Sequence, residues 1–148
     1  MAYFYRSVIA TWYDCREPLN TRAWNIVKTT GQSTNDYQLG LRLATKAAEL
    51  SPSHYVLNTL GVAQFRNTLY AEALVTFENG LSKAVENKPL PTDTLFIAMT
   101  HHKLGNLDKS RSMLSEFRSK HTMPTESLDE SDQAFLKEAI DLIEPAQN

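Results

Sequence analysis

Apolar residues recur along most of this chain at intervals of three and four, the spacing that places side chains on one face of an α-helix. The clearest stretch carries apolar or small residues at Leu57, Leu60, Gly61, Phe65, Leu69, Tyr70, Ala73, Leu74, Phe77 and Leu81. No long segment alternates between apolar and polar residues, as a half-buried strand would. The pattern therefore predicts an all-α protein.

The helical pattern also repeats, with a period of about 34 residues. Tyr37, Gly40, Ala44 and Ala47 have counterparts 33 residues later, at Tyr70, Ala73, Phe77 and Gly80. A third copy lies 37 residues further on, at Leu107, Ser110, Leu114 and Phe117. The additional residues fit in the segment ENKPLPTD, whose two prolines indicate a loop.

Two helices per unit and this period resemble the tetratricopeptide repeat. In the first copy the residues that carry the resemblance are Trp24, Val27, Tyr37, Gly40, Ala44, Ala47 and Pro52. In the second they are Leu57, Leu60, Gly61, Phe65, Tyr70, Ala73 and Phe77, and in the third Ala98, Gly105, Leu107, Ser110 and Leu114. The resemblance implies a right-handed α-solenoid of antiparallel helix pairs, with repeats at 21–53, 54–90 and 91–122 in a single domain, 1–148.

The segments on either side complete this expectation. Residues 3–17 end at Pro18, which lies 34 residues before Pro52, and they are predicted to be one helix of a partial repeat. Their large aromatic side chains would leave apolar surface uncovered, so a homodimer through this helix is expected, the rival being a helix folded back onto Trp24. Residues 130–144 are predicted to form a capping helix, with Ser131 as its N-cap and Pro145 after its end.

Gly61 has a packing role in this scheme. Glycine in a helix interior costs about 1 kcal/mol against alanine. A small residue is needed where the two helices of a repeat cross closely, and Gly61 is predicted to meet Ala73 of the second helix there.

The order of the pieces has a narrower resemblance. The second and third repeats, above all LFIAMTHHKLG, followed by FLKEAIDLIE, look like the carboxy-terminal repeat region of large planctomycete-type proteins. Those proteins carry a serine/threonine kinase domain or a WD-repeat propeller upstream, which implies a part of a bacterial signalling protein. Kinase activity does not transfer, because the chain has no glycine-rich phosphate loop, His-Arg-Asp or Asp-Phe-Gly motif.

Composition excludes several classes of partner. The 148 residues carry a formal net charge of −2 with a pI of about 6.1, so neither nucleic acid nor an anionic membrane is expected as a partner. No apolar run approaches the roughly 20 residues of a membrane span, and no signal peptide opens the chain. Cys15 is the single cysteine and excludes an internal disulfide. The expected location is the cytoplasm.

No residues in the sequence combine into a catalytic or metal site. His101 and His102 are adjacent and would point about 100° apart on a helix, while His54 and His121 fall between predicted helices. Cys15 has no nucleophile signature around it. The sequence therefore predicts no enzyme, no metal and no cofactor.

The expected site is the concave face of the solenoid, lined by the first helix of each repeat. The family's groove positions correspond to Asn25, Thr29, Tyr55, Asn58, Val62, Phe65, Arg66, Leu95, Met99, His102 and Lys103. Apolar residues, hydrogen bonders and two cations there suit a peptide or partner protein. The family's chaperone-tail clamp is excluded, because its positions hold Asn25, Thr29, Thr59, Thr92 and Phe96, none of them cationic. A structural spacer or self-association module without a groove ligand remains the alternative.

Overall fold

A computed structural model of the chain describes residues 16–121 and 128–145. These residues form α1 (Arg16–Val27), α2 (Thr34–Leu50), α3 (His54–Arg66), α4 (Tyr70–Leu81), a 3-10 turn (Val85–Asn87), α5 (Pro91–Lys103), α6 (Leu107–Lys120) and α7 (Glu130–Ile143). There is no strand in the described ranges, and the all-α prediction is confirmed. The helix predicted over 3–17, and the dimer through it, lie outside the described residues except for the first two positions of α1.

Helices that follow one another in the chain pack against each other. The pairs α1–α2, α3–α4 and α5–α6 are in contact, and so are α2–α3 and α4–α5, which join one pair to the next. The first helices of the pairs also meet directly, α1 with α3 and α3 with α5. The last helix, α7, packs on α5 and α6. Among the described helices none is long and apolar enough to cross a membrane.

Polar side chains fix three of the helix starts. Ser33 accepts a hydrogen bond from the backbone N–H of Asp36 at 3.1 Å, which satisfies one of the free donors of the first turn. Ser53 does the same at the start of α3. At α7 the N-cap is Asp129, whose carboxylate accepts from the N–H of Asp132 at 2.8 Å. The prediction of Ser131 as this N-cap is therefore wrong, because Asp129 already reaches the free N–H from one residue before the helix.

The turns after α3 and α5 close in the same way. In each, a residue with positive φ follows the helix, Thr68 at 62° and Gly105 at 84°. The next N–H then reaches back across the turn, from Leu69 to the carbonyl of Gln64 and from Asn106 to that of His101, both at 2.9 Å. Thr68 and Gly105 are 37 residues apart, the interval between the second and third sequence copies.

Phe96 lies at the centre of the core. Its ring centroid is 5.3 Å from that of Phe65 on α3, 6.3 Å from that of Phe77 on α4 and 5.1 Å from that of Phe135 on α7. Phe77 and Phe96 are fully buried. Since aromatic pairs add to the free energy gained by burying their area, this cluster ties three helices to α5.

Gly61 makes room for an aromatic ring. A Cβ atom at Gly61 would lie 2.6 Å from Cε1 of Phe77, closer than real Cβ contacts allow. The packing role agrees with the expectation, but the neighbour differs, since the ring of Phe77 on α4, and not Ala73, is the nearest group. The face of α3 at Gly61 therefore accepts a side chain inserted from α4.

We expect Gly61→Ala to lower the free energy of unfolding by about 1–3 kcal/mol, because the added methyl overpacks against Phe77. Alanine's better helix propensity, worth about 1 kcal/mol, offsets part of this cost. In a Phe77→Leu background, where the clashing ring atoms are gone, the same substitution should cost less or stabilise. Urea denaturation of the four proteins measures the coupling, and an equal effect of Gly61→Ala in both backgrounds would contradict this packing.

Candidate functional site

An open cleft lies between α7 and the C-terminal ends of α1, α3 and α5. It has a volume of about 920 Å³, within the range of ligand-binding clefts. Its lining comes from two sides of the molecule. One side consists of Lys28, Thr29, Thr30, Gly31, Tyr37, Phe65, Arg66, Thr68, Tyr70 and Lys103, and the α7 side of Glu130, Ser131, Ala134, Phe135, Lys137, Glu138, Asp141 and Leu142.

Arg66, in the last turn of α3, is the best-connected charged residue of the cleft. Its Nε donates to the carbonyl oxygen of Val27 at 2.9 Å, and its two terminal nitrogens donate to the two carboxylate oxygens of Glu138 on α7. Only 6% of the Arg66 side chain is exposed, against 21% for Glu138. The guanidinium thereby satisfies a carbonyl that α1 leaves unpaired at its end and binds α7 through a two-point ion pair.

Aromatic rings surround this ion pair. The guanidinium carbon of Arg66 is 5.2 Å from the ring centroid of Phe96 and 6.0 Å from those of Tyr37 and Phe65. A cation within about 6 Å of an aromatic face is attracted by it, and the attraction grows when water is excluded. These rings come from α2, α3 and α5, so helices other than α7 also contact the guanidinium.

Phe135 is the apolar anchor of α7. It is 1% exposed, and its ring meets Phe96 of α5 and, at a centroid distance of 5.8 Å, Trp24 of α1. With the Arg66–Glu138 pair, this gives α7 side-chain contacts to α1, α3 and α5. The last helix therefore lies on the side of the molecule that these three first helices share.

The start of α7 is fixed by a polar contact. The hydroxyl of Thr92 on α5 donates to Asp132 at 3.1 Å. Burial raises the pKa of Asp132 and Asp129 raises it further, while the bond from Thr92 and the charge of His121 act in the opposite direction. Because the folded chain then holds this proton more tightly than the unfolded chain, the resulting stabilisation is present below the unfolded-state pKa. It is lost as the pH rises through the folded-state pKa.

The structure separates the expected groove residues into three groups. Four of them come together at the cleft, namely Thr29, Phe65, Arg66 and Lys103. Four others are buried in the interior, namely Asn58, Val62, Leu95 and Met99. The remaining three, Asn25, Tyr55 and His102, do not line the cleft; Asn25 and Tyr55 are exposed, and His102 is half-buried.

Sequence reasoning did not assign Tyr37, Phe135 and Glu138 to the groove. Tyr37 belongs to a second helix, and its hydroxyl donates to the carbonyl of Thr29 at 2.9 Å, which brings the α1–α2 turn to the rim of the cleft. Phe135 and Glu138 belong to the predicted cap. Their spacing of three residues, which places both on one side of a helix, is the only sequence signal that could have found them.

Asn58 belongs to a buried polar network. The carboxylate of Asp93, fully buried at the start of α5, accepts from the Asn58 amide at 2.7 Å and from the backbone N–H of Leu90 at 2.8 Å. Nε2 of His54 lies 2.7 Å from the same carboxylate. All three partners satisfy a charge removed from water. Asn58 therefore joins α3 to α5 and is not available to a ligand in this arrangement.

The surroundings of His101 favour the neutral form of its ring. Burial lowers the pKa of His101, the charge of Lys109 lowers it further, and Glu78 opposes both. Its Nδ1 lies 3.2 Å from the amide nitrogen of Asn106. In a neutral imidazole this ring nitrogen can accept a hydrogen bond from that amide. Over residues 16–121 and 128–145, no group of three or more His, Cys, Asp or Glu side chains is arranged to hold a metal ion.

Comparison of the chain with protein-family models, curated proteins and solved structures gives no match in any of the three. The resemblance to tetratricopeptide repeats therefore stays a prediction, as does the narrower resemblance to the planctomycete-type repeat region.

We expect Asp93→Ala to lower the free energy of unfolding by about 3–5 kcal/mol, because it leaves buried His54 and Asn58 without their partner. Asp141→Ala is the matched control, since Asp141 makes an exposed ion pair with Lys137. An exposed pair is worth about 0–1 kcal/mol. Thermal and urea denaturation would measure both variants, and equal stability losses would contradict the role assigned to the network.

Glu138→Gln should lower the free energy of unfolding by about 1.5–3 kcal/mol, the range for hydrogen bonds to charged groups. The loss should shrink when Arg66 is already replaced by glutamine, because the two side chains act together. Glu116→Gln is the matched control, since its ion pair with Lys120 is exposed. A double-mutant cycle by urea denaturation checks this, and additive effects would show that the pair contributes nothing to stability.

Proposed function

We propose that this chain is a non-enzymatic protein-interaction module that binds a peptide or a partner protein at the cleft between α7 and the ends of α1, α3 and α5. The observation that carries the proposal is the convergence of Thr29, Phe65, Arg66 and Lys103 on one open cleft. These residues come from three separate helix pairs, and the resemblance to the tetratricopeptide repeat had implied that they are groove residues.

The proposal includes a right-handed solenoid of the tetratricopeptide type. Support comes from the packing of consecutive helices in pairs, from the contacts between first helices, and from the same turn geometry at Thr68 and Gly105. Each feature is expected when one supersecondary unit repeats and stacks on its neighbour. A place in a larger bacterial signalling protein follows from the resemblance and is proposed with it, and the cytoplasm is proposed as its location.

The chemistry of the cleft favours a segment with apolar and acidic side chains. Tyr37 and Tyr70, both half-buried, offer aromatic surface, and Lys28 and Lys103 stand at the ends of α1 and α5. Neither lysine has a carboxylate within salt-bridge distance in the described part of the chain. Both lysines also complement the negative ends of their helices, which is a structural role they would have without any ligand.

A structural module without a groove ligand is the second candidate. The observation that favours it is the position of α7, which buries Phe135 against α1 and α5 and leaves only 6% of the Arg66 side chain exposed. Part of the face expected to bind a partner is therefore already covered by the chain itself. The two candidate functions differ in one expectation. Only a peptide-binding module needs Lys28 and Lys103 for binding.

The test selects dodecamer peptides from a random phage-displayed library on the full chain and measures their affinities as synthetic peptides. We expect selected peptides to contain acidic and aromatic residues and to bind Lys28→Glu and Lys103→Glu at least about tenfold more weakly, because like charges then face each other. Lys83→Glu, an exposed change outside the cleft, is the control. Failure to select any peptide, or equal binding to all three variants, would overturn the proposal.

A further inference from the structure

The binding place of α7 is built by other helices. Arg66 is held by the carbonyl of Val27 and lies against the ring of Phe96, two contacts that do not involve α7. Trp24 and Phe96 likewise present the aromatic surface on which the ring of Phe135 rests. To these contacts α7 adds the ring of Phe135 and the carboxylate of Glu138, besides its buried Ala139 and Ile143. The Val27 and Phe96 contacts of Arg66 are thus supplied by the rest of the molecule and not by α7.

The last helix itself has the features of a ligand bound in a groove. Its buried residues are Phe135, Ala139 and Ile143, spaced four apart on one face, which is how an amphipathic helix anchors in a groove. These are three of its 14 residues, the same number that α6 buries and fewer than the nine of 13 in α5. A helix that buries so few side chains opens at a lower free energy than a central helix such as α5.

We infer that α7 is an exchangeable occupant of this place, and that the external partner it stands in for is an amphipathic helix with an aromatic residue followed three residues later by glutamate. The inference rests on the proposed function, because it names the partner that would use the same side of the molecule. It commits to a helix of that chemistry, and α7 seated in the site is the observation that supplies it.

The glutamate sets the specificity of the site. An arginine guanidinium presents donors in a fixed fork that matches both oxygens of one carboxylate. A partner with glutamine or lysine at this position would leave a mostly buried cation without its counter-charge, which is strongly unfavourable. The aromatic residue selects in a second way, since the surface left by Trp24 and Phe96 accepts an edge-to-face ring.

The cleft beside α7 gives a partner a first point of contact. Ala134, Glu138 and Asp141 face it, so one flank of the seated helix is open to solvent. A partner helix can approach along this flank and compete for Arg66 before α7 has left. Full binding requires that α7 has left its position. The apparent affinity for such a partner is therefore reduced in proportion to the fraction of molecules in which α7 has opened.

The test uses a fluorescent synthetic peptide with the sequence of residues 128–145 and the full chain as parent and variants. Weakening the intramolecular helix by Glu138→Gln should raise the affinity for the peptide by about 10- to 100-fold, the equivalent of one charge-assisted interaction. Glu116→Gln, the same chemical change on an exposed face of α6, should bind the peptide as the parent does. A peptide that carries glutamine in place of Glu138 should lose about tenfold or more in affinity for the Glu138→Gln chain.

Every outcome decides the inference. No binding to a Glu138→Gln chain that circular dichroism shows to be folded would overturn it, and so would equal binding to parent, Glu116→Gln and Glu138→Gln. If Glu138→Gln loses its helicity, Ile143→Val weakens the same helix by a smaller step and should raise the affinity in the same direction. Library-selected peptides that depend on Lys103 would uphold the proposed function even if the 128–145 peptide failed. Binding of the 128–145 peptide as expected, without library-selected peptides that depend on Lys103, would support the exchangeable helix but not the proposed function.

Discussion

A guanidinium that is removed from water where helices end needs a counter-charge and partners for its donors, and Arg66 obtains both from opposite sides of the molecule. Glu138 supplies the charge, Val27 supplies a carbonyl that its own helix leaves unpaired, and Phe96 supplies an aromatic face. The desolvation cost of a buried ion pair is offset only when such additional contacts are present. This arrangement joins α7 to the end of α1 and to α3 at the edge of the cleft.

The second buried charge has a different task. Asp93 is surrounded by the Asn58 amide, the backbone N–H of Leu90 and Nε2 of His54, and it does not line the cleft. It joins α3 to α5, whereas Arg66 joins α3 to the end of α1 and to the last helix. Both charges are satisfied within the fold, but only the Arg66 pair lies at a surface where another carboxylate could take the place of its partner. Because of that difference, Asp93 has a structural role and Arg66 is the candidate for recognition of a partner.

Sequence periodicity predicted the helices well because amphipathic spacing is a local property. The glycine at position 61 was also recognised as a packing residue, since an interior glycine is unfavourable without a close neighbour. Its neighbour was not predictable, because whether Ala73 or the ring of Phe77 reaches it depends on how far α4 slides along α3. The N-cap of α7 was misplaced by two residues, from Asp129 to Ser131, because both residue types cap helices and only backbone geometry chooses between them.

The amino-acid sequence by itself determined an all-helical chain, since amphipathic spacing follows from contacts between residues close in sequence. The expected groove residues came from the resemblance to the tetratricopeptide repeat. Tertiary structure decided which of those groove residues remain accessible. Asn58 and Met99 are buried, and Arg66 is engaged by a helix 72 residues further along the chain. A pattern of three and four residues shows which face of a helix is apolar, but it carries no information about which distant helix will cover that face.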